Sequence, residues 1–210
     1  MIVFPILATL VAATFSVATW RASGDRGAAL RVWSVALAQF AVGAGALAWG
    51  TAFGWTPTVY RIFYVFGAVL NVGWLGLGTL WLVWYRSAAV AMTIVLATVS
   101  LGVIWYVATT SLVPGAAFGA NLPRASEVMP VLARNLSRWF SISGSVVVLA
   151  GLGMSIALRR NASGLALLAS GVVVAGVASE LARAGYVTVF SVGLAAGIAL
   201  MYAGFVRTRT

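Results

Sequence analysis

The chain is 210 residues long, 62% hydrophobic and only 8% charged, with a formal net charge of +10. A soluble domain normally carries about a quarter charged residues, so this composition excludes a water-coated globule and leaves a lipid bilayer as the solvent. Cys, His and Lys are absent, and all thirteen basic residues are Arg; that excludes disulfides, thiol or imidazole catalysis, zinc or haem held by His or Cys, and Lys Schiff bases, retinal among them.

In a bilayer every backbone polar group must be paired within the protein, which leaves helices or a closed barrel. Barrel strands alternate in polarity over about ten residues, whereas Ala88 to Pro123 runs without a charge or an alternation. The chain therefore reads as all-α, a single polytopic transmembrane bundle over residues 1–210. The first span covers 2–20; no basic segment precedes it and Arg21, Arg26 and Arg31 follow, so it reads as a retained helix with its N-terminus outside. Spans 32–51, 59–84 and 88–113 come next, punctuated by Gly54 and Pro57, by Tyr85-Arg86, and by Pro114-Gly115.

Beyond the longest connection lie spans 139–158, 162–179 and 186–206, making seven. Within that connection, residues 126–138 place Val128, Leu132, Leu136 and Trp139 at spacings of three and four, which predicts an amphipathic helix on the outer membrane surface, kinked near Pro130. With the N-terminus outside and the C-terminus cytoplasmic, eight arginines (21, 26, 31, 86, 159, 160, 207 and 209) face the cytoplasm and five (61, 124, 134, 138 and 183) face outward. That sign agrees with the positive-inside rule. Arginines at span ends are what anionic headgroups select, so the positive charge implies the lipid bilayer as partner and no nucleic acid.

Polar residues within spans are the pointers to function. Tyr60, Tyr64, Gly67, Asn71, Trp74 and Gly78 recur at three and four along the third span, and Gln39 shares a stripe with Gly43, Ala46 and Gly50 on the second. At 1.5 Å per residue, Gln39 lies roughly 11 Å from the cytoplasmic end and Asn71 roughly 18 Å from the outer one, depths that nearly coincide. Amides in hydrocarbon need partners, so Gln39 and Asn71 are expected to hydrogen-bond across the two helices. They serve either as glue or as the floor of a ligand site with Tyr64 and Trp74. Glu180 and Arg183, three residues apart, predict an ion pair closing the sixth span. The acids number three, Asp25, Glu127 and Glu180, all outside the hydrocarbon, so no metal, cofactor or enzymatic site is expected.

The run Tyr60-Arg-Ile-Phe-Tyr-Val-Phe-Gly-Ala-Val-Leu-Asn-Val-Gly-Trp-Leu-Gly-Leu-Gly-Thr-Leu80, with the Arg-only, Ala/Val/Gly-rich composition, resembles small seven-helix membrane proteins of high-GC actinobacteria whose function is unknown. The resemblance covers roughly a tenth of the chain. It implies a multi-pass protein of a bacterial plasma membrane and carries no activity. The residues favour binding or transport of an apolar or weakly polar small molecule; the alternative is a structural or accessory subunit of a membrane complex. The G-x-x-x-G at Gly193 and Gly197 suits contact with another helix of the bundle or with a second copy.

Overall fold

A computed structural model describes residues 2–24, 27–157, 162–183 and 186–208, with the side chains of Val83, Ala162 and Arg183 outside the described set. The described chain is helical throughout apart from its connections, and seven of its helices are long and apolar enough to cross a membrane. They are Val3–Arg21 (span 1), Gly27–Phe53 (span 2), Pro57–Leu82 (span 3), Arg86–Thr109 (span 4), Val131–Ala157 (span 5), Ser163–Ala182 (span 6) and Val187–Arg207 (span 7). A four-residue helix, Ala125–Val128, interrupts the connection between spans 4 and 5.

Packing follows a ring: span 7 against span 1, then spans 2, 3, 5 and 6, with span 6 closing on span 7. Span 4 stands outside the ring, its main contacts among the described residues being with span 3. Small residues set the distances. A Cβ on Gly171 would lie 2.5 Å from the Gly197 carbonyl oxygen, and one on Gly197 would lie 2.9 Å from that of Gly171, so the G-x-x-x-G stripe is used within the bundle, between spans 6 and 7. Spans 1 and 2 are clasped by a reciprocal pair: Ser16 Oγ donates to the Ser34 carbonyl at 2.8 Å, and Ser34 Oγ donates to the Ser16 carbonyl at 2.8 Å.

Local chemistry explains the ends. Gly54, at φ +89°, turns the chain after span 2 so that the Trp55 ring folds back over Gly50, where a Cβ would lie 2.5 Å from the indole. Thr56 caps the next helix by accepting the Val59 N–H at 3.3 Å, with Pro57 in its first turn. Span 4 ends at Thr109, short of the expected 113, because Thr110 turns extended. The Arg61 guanidinium there donates to the carbonyls of Ala108 and Thr110, at 2.8 Å for the latter. A cation thus takes carbonyls that a helix C-terminus leaves over.

The expected helix over 126–138 is interrupted at Pro130, where its kink was placed, and its second half is continuous with span 5. Met129 is extended ahead of Pro130, so the short helix stops at Val128 and a new one starts at Val131. Residues 131–138 are the opening turns of span 5. The stripe is divided as well: Val128 is buried, whereas Leu132 and Trp139 are exposed, Trp139 at 72%. Span 5 buries Ala133, Ser137, Gly144, Val148, Gly151 and Leu152 instead. In lipid the large apolar side chains gain nothing by turning inward, and the small ones give closer helix contact.

Candidate functional site

The candidate residues meet at span 3, which is not one uniform helix. It is α-helical over Pro57–Ile62, π-helical over Phe63–Leu70 and α-helical again over Asn71–Val83. A π-helical stretch this long is rare and must re-pair backbone groups where it ends. Asn71 stands at that junction, 3% exposed, and its Oδ1 accepts the Val72 N–H at 2.7 Å. In an α-helix that N–H would serve the Ala68 carbonyl. The Ala68 carbonyl accepts hydroxyls from span 5, Ser137 Oγ at 2.9 Å and Ser141 Oγ at 3.3 Å. Side chains thus bond both the Val72 N–H and the Ala68 carbonyl where the register changes.

Glycines close the surroundings. A Cβ on Gly43 of span 2 would lie 2.5 Å from Gly67 Cα, and one on Gly76 would lie 3.0 Å from Gly144 Cα of span 5. Gly144 also abuts the Val72 carbonyl, and Gly73 abuts the Phe140 ring. Asn71 is therefore enclosed by backbone-to-backbone contacts on two sides.

Each of the four expected ligand-binding residues has its own setting. Tyr64 is buried and stacks on Tyr60 with centroids 6.0 Å apart. That pair belongs to a cluster with Trp55, Phe63 and Phe118, and Phe63 meets Phe190 of span 7. The long connection roofs this cluster: the Trp55 N–H donates to the Gly119 carbonyl at 2.7 Å, and Val113 N–H to the Val128 carbonyl at 3.0 Å. Trp74 turns outward to span 4, its Nε1 donating to Ser100 Oγ at 3.0 Å. Trp81 repeats the arrangement with Thr93 at 3.0 Å.

Gln39 lies one turn from Gly43 as Asn71 lies one turn from Gly67, so antiparallel spans 2 and 3 bring the two amides to one level. The expected hydrogen bond between them is nevertheless not formed. Asn71 Oδ1 is engaged by Val72, and Gln39 Oε1 is buried without a partner. The local demand of the π/α junction takes the amide oxygen that the neighbouring helix would have received. The Glu180–Arg183 pair involves the Arg183 side chain, which lies outside the described residues; Glu180 is exposed near the end of span 6. Among the described residues no cluster of three acids, Cys or His could hold a metal.

Sequence reasoning gave no packing role to Ser137 or Ser141 and read Arg61 only as a topology charge. Serines in an apolar segment were the available signal, since a hydroxyl there must bond a carbonyl of its own or a neighbouring helix. Chemically the site offers hydrogen bonds and close packing.

The fold and the site together define a multi-pass α-helical membrane protein. No protein-family model, no curated protein and no solved structure matches this chain.

Proposed function

We propose that the protein is a non-enzymatic structural or accessory subunit of a bacterial plasma-membrane complex, with its N-terminus outside and its C-terminus cytoplasmic. The observation that carries the reading is the closure around Asn71: Gly43 on Gly67 and Gly76 on Gly144 bring backbones together where a ligand site would need room. The polar groups of the third span are engaged by its own backbone or by neighbouring helices. Asn71, Ser137 and Ser141 bond backbone groups at the register change, and Trp74 and Trp81 fasten span 4. The lack of His, Cys and Lys supports a role without covalent or acid–base chemistry. The test is native mass spectrometry of the protein released gently from its own membrane. A complex of fixed stoichiometry, with a mass well above the 21.8 kDa chain, agrees with the reading; a monomer that binds a small molecule saturably overturns it.

A second reading, binding of a weakly polar small molecule, draws on one observation, the unpartnered Gln39 Oε1. A hydrogen-bond donor in a ligand would satisfy that oxygen. Its signature is a thermal shift on ligand addition that Gln39→Leu abolishes. A shift that survives the substitution removes Gln39 from the reading.

A further inference from the structure

Away from the third span, a groove of about 460 Å³ runs along the outside of the bundle between spans 1 and 7, lined by Ala13, Thr14, Val17, Ala18, Arg21 and Tyr202. Its size falls in the range of roughly 300–1,000 Å³ typical of small-molecule sites. From Thr14 to Arg21 it extends about 10 Å along the helix, some two thirds of one leaflet's share of a 30 Å core. The floor is firm: Phe15 of span 1 packs on Tyr202 and Phe205 of span 7, with centroids 5.3 and 5.1 Å apart. On the span 1 side Ala13 and Ala18 contribute only methyl groups to the lining.

Its two ends differ in chemistry. The Ala13 end is apolar apart from the Thr14 hydroxyl, which donates to the Leu10 carbonyl of its own helix at 2.8 Å. The Arg21 end adjoins Trp20, 55% exposed, and an exposed indole at a helix end marks the headgroup level. Arg31 adds a second positive charge there, its guanidinium 6.0 Å from the Trp20 ring. Among the described residues Arg21 has no ion-pair partner, and the described acids, Glu127 and Glu180, belong to the opposite end of the bundle.

We infer that this groove is a binding site for one anionic phospholipid, an acyl chain lying against Ala13, Val17 and Ala18 and the phosphate against Arg21. A cation at headgroup level above an apolar channel matches a charged head on a hydrocarbon tail, and matches neither a free anion nor an uncharged lipid.

The test uses the delipidated full-length protein, titrated with phosphatidylglycerol, phosphatidylcholine or chain-free glycerol phosphate and read by native mass spectrometry. Phosphatidylglycerol is expected to bind in preference to both others. Arg21→Gln should weaken it about fivefold, from roughly 1 kcal/mol per basic residue at a membrane surface, while Arg21→Lys retains it. Ala13→Phe keeps the charge and fills the groove, and should also weaken binding. Ala13 and Arg21 are exposed, and unchanged melting of the variants verifies that the fold is kept. Equal binding of the two lipids, equal binding of glycerol phosphate, or full binding by Ala13→Phe would overturn the assignment.

Discussion

Residue by residue, this bundle depends on atoms that are missing as much as on those present. The Gly43–Gly67 approach leaves no volume for a methyl group, since the Cβ would sit 2.5 Å from a Cα that cannot rotate away. Gly43→Val is expected to destabilise the protein by about 2 kcal/mol or more, measured by reversible unfolding in mixed micelles. Gly102→Val, at a position with nothing within 4 Å of its Cβ, should be close to neutral, and an equal loss in both would refute the packing argument. The two amides separate in the same way. Asn71→Leu frees the Val72 N–H in a buried setting and should cost about 1–3 kcal/mol. Gln39→Leu removes a buried oxygen that has no partner, so it should be neutral or stabilising. The reverse order in the unfolding assay would mean that the amides do pair.

Among the elements, span 3 is the unusual one, and its π-helical stretch depends on a neighbour. Ser137 and Ser141 of span 5 both donate to the Ala68 carbonyl. Interhelical hydrogen bonds in membranes average about 0.6 kcal/mol, so the double change Ser137→Ala with Ser141→Ala should cost about 1 kcal/mol. Combined with Asn71→Leu the losses should be non-additive, because all three side chains serve one junction; strict additivity in a double-mutant cycle would dissociate them.

The spans themselves were legible in the sequence, since continuous apolar runs allow no other element in lipid. The π-helical register was not, because Phe63–Leu70 carries no residue that distinguishes it from an α-helix. That hidden register is why the sequence brought Gln39 and Asn71 to one level but misjudged their bond. The segment 126–138 was legible in part: Pro130 marked the break, whereas nothing in the spacing of Val128, Leu132, Leu136 and Trp139 showed that residues 131–138 continue directly as span 5, whose small residues Ser137 and Gly144 turn inward. Arg61 looked like a topology charge at a span end, and only the fold brings it to the carbonyls that finish span 4.

For the whole molecule, the proposed topology places the N-terminus outside and the C-terminus in the cytoplasm, on the strength of the arginine bias. The absence of Cys makes this directly testable, because a single introduced thiol has no background. Phe53→Cys, at the end of span 2, and Tyr85→Cys, just before span 4, replace residues that are 75% and 80% exposed. A membrane-impermeant maleimide added to intact cells should label the first and spare the second; the opposite pattern inverts the topology and places the groove at Arg21 in the other leaflet.

The ribosome delivers span 4 before span 5, yet span 5 is the one that completes the ring beside span 3. Ser137 follows Ala68 by 69 residues, roughly 3–14 s of synthesis at 5–20 residues per second. Over that interval the two hydroxyls that the Ala68 carbonyl finally accepts have not yet been synthesised, and span 4 packs on another face of span 3 than the one span 5 takes. The tryptophan hydrogen bonds to Ser100 and Thr93 lie on that far side, away from the face of span 3 that span 5 occupies.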